Sequence, residues 1–252
     1  MSQHTRIIAH RGLNTVAPEN TMPAFQAAYE VGARWIETDV DILGDGTAII
    51  CHDTLLDRTT NRSGLYYDLT AADLPSIDAG SWFGPEFAGT PMPTLEGVID
   101  WCNTTGMNAN IEIKPNEAGA EMTYRLLESV CEQLDRLNSG CELIVSSFNH
   151  VILHRLHSMD SSLPLACLYE KFPLWPDWKT TCELVGARYI HPDNAGLTRH
   201  HVQQLVNAGL EVNVWTVNSV ARANELFNWG VSGVFTDACD KLIHLDSSIS
   251  AQ

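Results

Sequence analysis

Eight short apolar runs begin at residues 6, 35, 108, 141, 163, 188, 210 and 232, and a helical pattern or turn follows each. Strands separated by helices cannot pair as tight hairpins; they can run parallel, each helix crossing back over the sheet. The spacing predicts strands over 6–10, 35–43, 108–114, 141–147, 163–169, 188–191, 210–217 and 232–236. Helices are expected over 20–32 (capped by Asn20), 94–105 (capped by Thr94), 118–137, 150–159, 176–186, 198–208 and 219–229, with a closing turn from Asp237. Eight βα units in about 250 residues predict a closed (β/α)₈ TIM barrel. The first strand-to-helix junction, HRGLNTVAPEN, lacks the GxGxxG turn of a doubly wound dinucleotide-binding sheet. One domain over 1–252 is expected, with an insertion over about 53–93 where Gly, Pro, Thr and Asp break the alternation.

The polar residues gather at the ends of these runs. His10 and Arg11 close the first, Glu37 and Asp39 lie in the second, Glu112 and Lys114 in the third, and Trp215 late in the seventh. Strand C-terminal ends form the active face of a barrel, so these side chains converge on one rim. Residues 47–52 return antiparallel against 35–43, and Asp45-Gly46 reads as a two-residue turn. In that register partners sum to 91, which sets His52 opposite Asp39 and makes the turn the device that aims His52.

Glu37 and Asp39 share a face, and the apolar residues around them imply burial. Buried acids need a partner. Glu37, Asp39 and Glu112 suit one hard divalent cation, Mg²⁺ or Ca²⁺. Arg11 and Lys114 beside them suit an anionic substrate oxygen, most economically a phosphate, and His10 and His52 supply proton transfer near neutrality.

Other residues have blander readings. Glu19 and Asn20 read as ligands or as helix caps and are taken as supports of the site, and Asp53 orients His52 or begins the turn into the insertion. Asp41 reads as a solvated rim position. His150, His154 and His157 read as surface residues of a covering helix; His191, at a strand end, is a further candidate for the rim.

Charge and cysteine usage bound the partners. Fifteen basic against 31 acidic residues give a formal net charge of -16, which disfavours nucleic acid and anionic lipid. No run has transmembrane length, and the N-terminal stretch lacks the pattern of a secretory signal, so stable membrane insertion is not expected. Seven scattered cysteines without a CxxC pair fit reduced thiols in the cytoplasm and argue against zinc.

His10-Arg11-Gly12, Pro18-Glu19-Asn20-Thr21, Glu37-Thr38-Asp39, Asp45-Gly46, His52-Asp53, Asn110-Ile111-Glu112-Ile113-Lys114, Thr216-Val217-Asn218 and Thr236-Asp237 together resemble the glycerophosphodiester phosphodiesterases, closest to the short cytosolic bacterial enzymes. The resemblance covers nearly the whole chain. It implies metal-dependent hydrolysis of a glycerophosphodiester to sn-glycerol 3-phosphate and an alcohol. Glu37, Asp39 and Glu112 would hold the metal, His10 and His52 would act as acid and base, and Arg11 and Lys114 would hold phosphate oxygens. Trp215 and Phe148 would line the glycerol or headgroup side. A lysophospholipid is the alternative substrate on the same barrel, for which the Trp82-Phe83 and 172–176 stretches offer apolar surface. A non-catalytic glycerophosphate-binding barrel ranks below both, since no catalytic or metal-binding position is missing. A homodimer is left open as the assembly.

Overall fold

The structure, a computed structural model, describes residues 5–170 and 176–247. In chain order the elements are β1 Arg6–His10, α1 Met22–Glu30, β2 Trp35–Ile42, β3 Ala48–Ile50, α2 Leu95–Thr105, β4 Asn108–Ile113 and α3 Ala120–Leu134. They continue as β5 Leu143–Ser147, α4 His150–Met159, β6 Leu165–Tyr169, α5 Trp178–Val185, β7 Tyr189–Pro192, α6 Arg199–Asn207, β8 Glu211–Val214, α7 Val220–Trp229, β9 Gly233–Thr236 and α8 Cys239–Leu242. Apart from the antiparallel β2–β3 pair all neighbouring strands run parallel, and β1 pairs with both β2 and β9, so the eight other than β3 close into a (β/α)₈ barrel.

Side-chain alternation divides the core in two. Ile7, Ala9, Ile36, Ile111, Val145, Ile190 and Val234 point outward and meet the apolar faces of the helices. Ile8, Trp35, Ile144, Ala166, Tyr189 and Phe235 form a separate cluster of buried residues. With that space filled by large side chains, what remains open lies toward the strand C-termini. The Arg6 guanidinium stands 5.6 Å from the Trp35 ring and 5.7 Å from the Tyr189 ring, paired with Glu211 at 2.9 Å. Helix starts follow the expected chemistry: Thr94, Asn149, Thr198 and Ser219 each accept from a backbone N–H in the first turn.

Two local expectations about the backbone fail. The β2–β3 ladder pairs Val40 with Ile50, Asp41 with Ile49 and Ile42 with Ala48, so partners sum to 90 and not 91. Leu43 N donates to Thr47 O at 2.9 Å and Gly46 N to Leu43 O at 3.0 Å, which makes the loop Gly44-Asp45-Gly46. This is a three-residue connection ending in a glycine at φ 98°, in place of the two-residue turn. Cys51 N, not a His52 group, then bonds Asp39 O, at 3.1 Å. Helix α1 is preceded by Thr21 and not by Asn20, which adopts φ 56° and is buried. Asn tolerates this left-handed conformation, and here its amide is turned to other partners.

Residues 53–93 form a small lobe with its own core: Leu56, Tyr66, Leu74, Ile77, Ala79 and Met92 pack with Leu43, Ile49 and Cys51. Strand β3 lies between two cores, since Ala48 and Ile50 belong to the barrel's outer cluster. The lobe buries Asp41 completely, against the expected solvated position. Burial pushes the Asp41 carboxyl up, and the cost is met by donors from Tyr66 Oη at 2.7 Å, Tyr67 Oη at 2.8 Å and Asn116 Nδ2 at 2.8 Å. Asp41 thus ties lobe to barrel.

All seven cysteines are free thiols, and among the described residues no helix is long and apolar enough to cross a membrane. Trp82 and Phe83 stack edge-to-face within the lobe at 5.6 Å, while the apolar stretch at 172–175 lies outside the described residues.

Candidate active site

A cavity of about 470 Å³ opens at the C-terminal ends of the strands, lined by His10, Arg11, Glu37, His52, Glu112, Lys114, Phe148 and Trp215 among others. Asp39 lies against it at 1% exposure. One oxygen from each of Glu37, Asp39 and Glu112 falls within 4.8 Å of the others. The register explains this grouping: β2 pairs with β4 so that Asp39 stands beside Glu112, and with β1 so that Glu37 stands beside His10.

The backbone after β1 is bent to reach these acids. Arg11 sits at φ 56° and its N–H donates to Glu37 Oε2 at 2.9 Å. Gly12 follows at φ 82°, and a Cβ there would lie 2.6 Å from the Ala24 carbonyl carbon, so only glycine fits. The Arg11 guanidinium donates to Glu19 at 2.8 Å and lies 3.4 Å from Asp39. Asn20 Nδ2 donates to Asp39 Oδ2 at 2.8 Å while its Oδ1 accepts from Thr38 Oγ1 at 2.8 Å. Lys114 Nζ reaches Glu112 at 2.8 Å and Asp39 at 3.3 Å.

Electrostatics separate the three acids. Burial, then the neighbouring Asp39 and Glu112, drive the Glu37 carboxyl well above the usual range. Burial and Asp39 push Glu112 up to about 7 against the pull of Lys114. Burial opposes ionisation of Asp39 too, but Lys114, Arg11, His52 and the Asn20 amide outweigh it and hold the group below the usual carboxylate range. Three buried carboxylates therefore face two cations, and two of the three are strained toward protonation. A hard divalent cation with oxygen ligands would relieve this, so the donor set fits one.

Each histidine is braced by a carboxylate on Nδ1. His52 Nδ1 lies 2.6 Å from Asp53 Oδ1, and His10 Nδ1 lies 2.7 Å from Asp237 Oδ1. A neutral ring whose Nδ1–H is donated this way presents Nε2 as its free acceptor. Burial lowers the His52 value, with Lys114 and Arg11 acting in the same sense and Asp39 against it. Arg58 spans the rim behind: it donates to Asp53 through Nε and Nη2 at 2.6 and 3.0 Å, and to Glu19 at 2.8 Å through Nη1 and Nη2. Arg58, then His52, hold Asp53 down at about 2 against burial.

His52 reaches the cavity although the hairpin register differs by one residue from the expected one. It stands beyond the end of β3, where side-chain direction follows the bend and not the ladder. Phe148 and Trp215 meet edge-to-face at 5.5 Å on the far wall. His191 does not line the cavity: it is fully buried, packed on Phe235 at 4.9 Å and bonded to Asn213 at 3.0 Å. His150 and His157 are half-buried, and His150 bonds Leu168 O at 3.0 Å. Asp237, with Asn14 and Asn218 donating to it at 2.8 and 2.7 Å, and Arg58 had no role assigned from the sequence. The rule that strand ends carry chemistry points to Asp237; Arg58 lies in irregular chain, where no periodicity marks it.

A family model described as the glycerophosphoryl diester phosphodiesterase family matches residues 10–241. A glycerophosphodiester phosphodiesterase of Caldanaerobacter subterraneus is 34% identical, over 96% of this chain and 97% of its own length. One of Bacillus subtilis is 33% identical, over 92% of this chain and 83% of its own. Among solved structures, an Oleispira antarctica phosphodiesterase in complex with the product sn-glycerol-3-phosphate is similar at TM-score 0.90 and 31% identity, covering 97% of this chain and 98% of that one.

Proposed function

Because the chain belongs to the glycerophosphodiester phosphodiesterase family, we propose that it hydrolyses soluble glycerophosphodiesters, such as glycerophosphocholine and glycerophosphoethanolamine, to sn-glycerol 3-phosphate and an alcohol. The observation that carries this reading is the convergence of two carboxylate-braced histidines, three carboxylates and two cations on one cavity.

Glu37, Asp39 and Glu112 would hold one divalent cation, Mg²⁺ or Ca²⁺, which when bound neutralises charge developing on the phosphoryl oxygens. Arg11 and Lys114 line the cavity and bind the same oxygens; their carboxylate partners keep both side chains fixed and charged. One neutral imidazole accepts the proton of the attacking oxygen, from water directly or from the glycerol 2-hydroxyl with water then opening the cyclic phosphate, while the other, protonated, donates a proton to the departing alcohol oxygen. Asp237 and Asp53 hold the two rings in the orientation that this exchange needs. The apolar wall of Phe148 and Trp215 packs against the carbon skeleton of the substrate.

The test is release of glycerol 3-phosphate from both substrates by protein stripped with EDTA and then resupplied with Mg²⁺ or Ca²⁺. Turnover is expected only after resupply. Absence of turnover on either substrate with either metal overturns the proposal.

A further inference from the structure

The cavity has a floor that this chemistry leaves unused. Asn110 and Ser146 both line it, at 1% and 0% exposure. Asn110 precedes Glu112 by two residues on β4, so it shares the inward face one layer deeper, about 6.6 Å along the strand. Its Nδ2 donates to Ser146 Oγ at 2.9 Å, whereas its Oδ1 has no partner. With the Ser146 oxygen accepting from that amide, the serine O–H is left to donate. Turning the amide over exchanges the roles and leaves the same offer: one donor and one acceptor, side by side.

A buried polar atom without a partner is costly, and a site that tolerates one is built to receive a group. A hydroxyl, at once donor and acceptor, answers both halves of this pair. Beside the charged residues, the lining includes the apolar side chains Phe148, Leu168, Trp215 and Phe235, which suit a carbon chain. Resting on the placement of phosphate between Arg11, Lys114 and the two histidines, we propose that Asn110 and Ser146 bind the terminal hydroxyl of the glycerol arm and so determine specificity for it. An extended three-carbon arm, at about 1.5 Å per bond, covers the depth from rim to floor. Sites that hydrogen-bond a substrate hydroxyl reject analogues lacking it far more strongly than apolar pockets sense a missing methylene.

The experiment compares glycerophosphocholine with its analogue in which hydrogen replaces that terminal hydroxyl, both in excess Mg²⁺. The wild-type protein is expected to prefer the former at least tenfold in kcat/KM. Asn110→Leu and Ser146→Ala should each bring the ratio toward one, with Mg²⁺ affinity by calorimetry unchanged. Equal use of both substrates by the wild type, equal slowing of both by the variants, or a shifted Mg²⁺ titration overturns the proposal, the last by making Asn110 an element of the metal site. Ser146→Ala carries the test if Asn110→Leu does not fold. Failure of the wild type to turn over either substrate counts against the hydrolytic function alone. The floor is then judged by calorimetric binding of sn-glycerol 3-phosphate against its analogue lacking the terminal hydroxyl, with equal affinities overturning it.

Discussion

His10 Nδ1 and Asp237 Oδ1, 227 residues apart in sequence, meet at 2.7 Å because β1 closes the barrel against β9. Asp237 is itself fixed by Asn14 and Asn218. Burial opposes its ionisation, but His10, Asn14 and Asn218 outweigh this and hold it below the usual carboxylate range. It is therefore an anion across the physiological range and a rigid brace for the ring. Asp237→Asn should leave the fold intact and lower kcat by about 10²–10⁴-fold, the range associated with a misplaced or wrong-tautomer imidazole. Steady-state kinetics beside a circular dichroism melt check it; an unchanged kcat refutes the brace.

Asn20 reports on the metal site through its side chain, which bonds Asp39 and Thr38 and neither of the cavity's cationic groups. Asn20→Gly keeps the left-handed backbone while removing the amide that orients Asp39, and should weaken Mg²⁺ binding about 10–100-fold. Protons compete at the same place. Glu112, pushed up to about 7, must lose its proton before ligating, so affinity should fall as pH drops through that value. Calorimetric titrations at pH 6 and 8 read both effects.

His191 supplies a stability signal of its own. Burial, with a smaller contribution from Arg6, depresses its value to about 3, so the folded protein holds it neutral. Below about 6.5 the unfolded chain binds a proton that the folded chain refuses. Its contribution is thus fully present above pH 6.5 and is lost as pH falls toward 3, amounting to several kcal/mol. His191→Gln keeps a hydrogen-bonding group for Asn213 and should flatten the urea-midpoint profile between pH 6 and 4; an unaltered slope would show that the imidazole is protonated in the folded state.

Arg58 bridges Glu19, which holds Arg11, to Asp53, which holds His52. Its side chain is 45% exposed, so its ion pairs contribute to stability only weakly, on the order of 1 kcal/mol. Positioning is the larger effect. Arg58→Ala should reduce kcat/KM about tenfold or more with little change in Tm, and Arg58→Lys should recover only part, because one ammonium cannot make a two-armed contact to two carboxylates. Complete recovery with lysine would reduce its role to charge.

Strand order, barrel closure and the gathering of His10, Glu37, Asp39, Glu112 and Lys114 are legible in the chain because period-2 alternation and strand-end position both follow from covalent geometry. The hairpin register is not, since an Asp-Gly pair serves a two-residue turn or the second half of a three-residue loop, and only the bonds that close the loop, Leu43 N to Thr47 O and Gly46 N to Leu43 O, distinguish them. Asp41 shows the same limit: its hydrogen-bond donors are Tyr66 and Tyr67, from a segment without periodicity, and Asn116, from the connection after β4, all distant in sequence. Asp237 was visible as a residue at the end of the last strand, but its partner was fixed by closure of the ring.

Strand β3 is shared between the two cores, and the molecule should therefore have two thresholds of unfolding. The core of the lobe is small, and units with few buried apolar contacts open at lower free energy than the global transition. Such an opening releases Asp53, Arg58 and with them His52, yet leaves Glu37, Asp39 and Glu112 seated on β2 and β4. Amide exchange in 53–93 should therefore outpace that of the barrel strands, and mild denaturant should silence turnover at concentrations where Mg²⁺ is still bound.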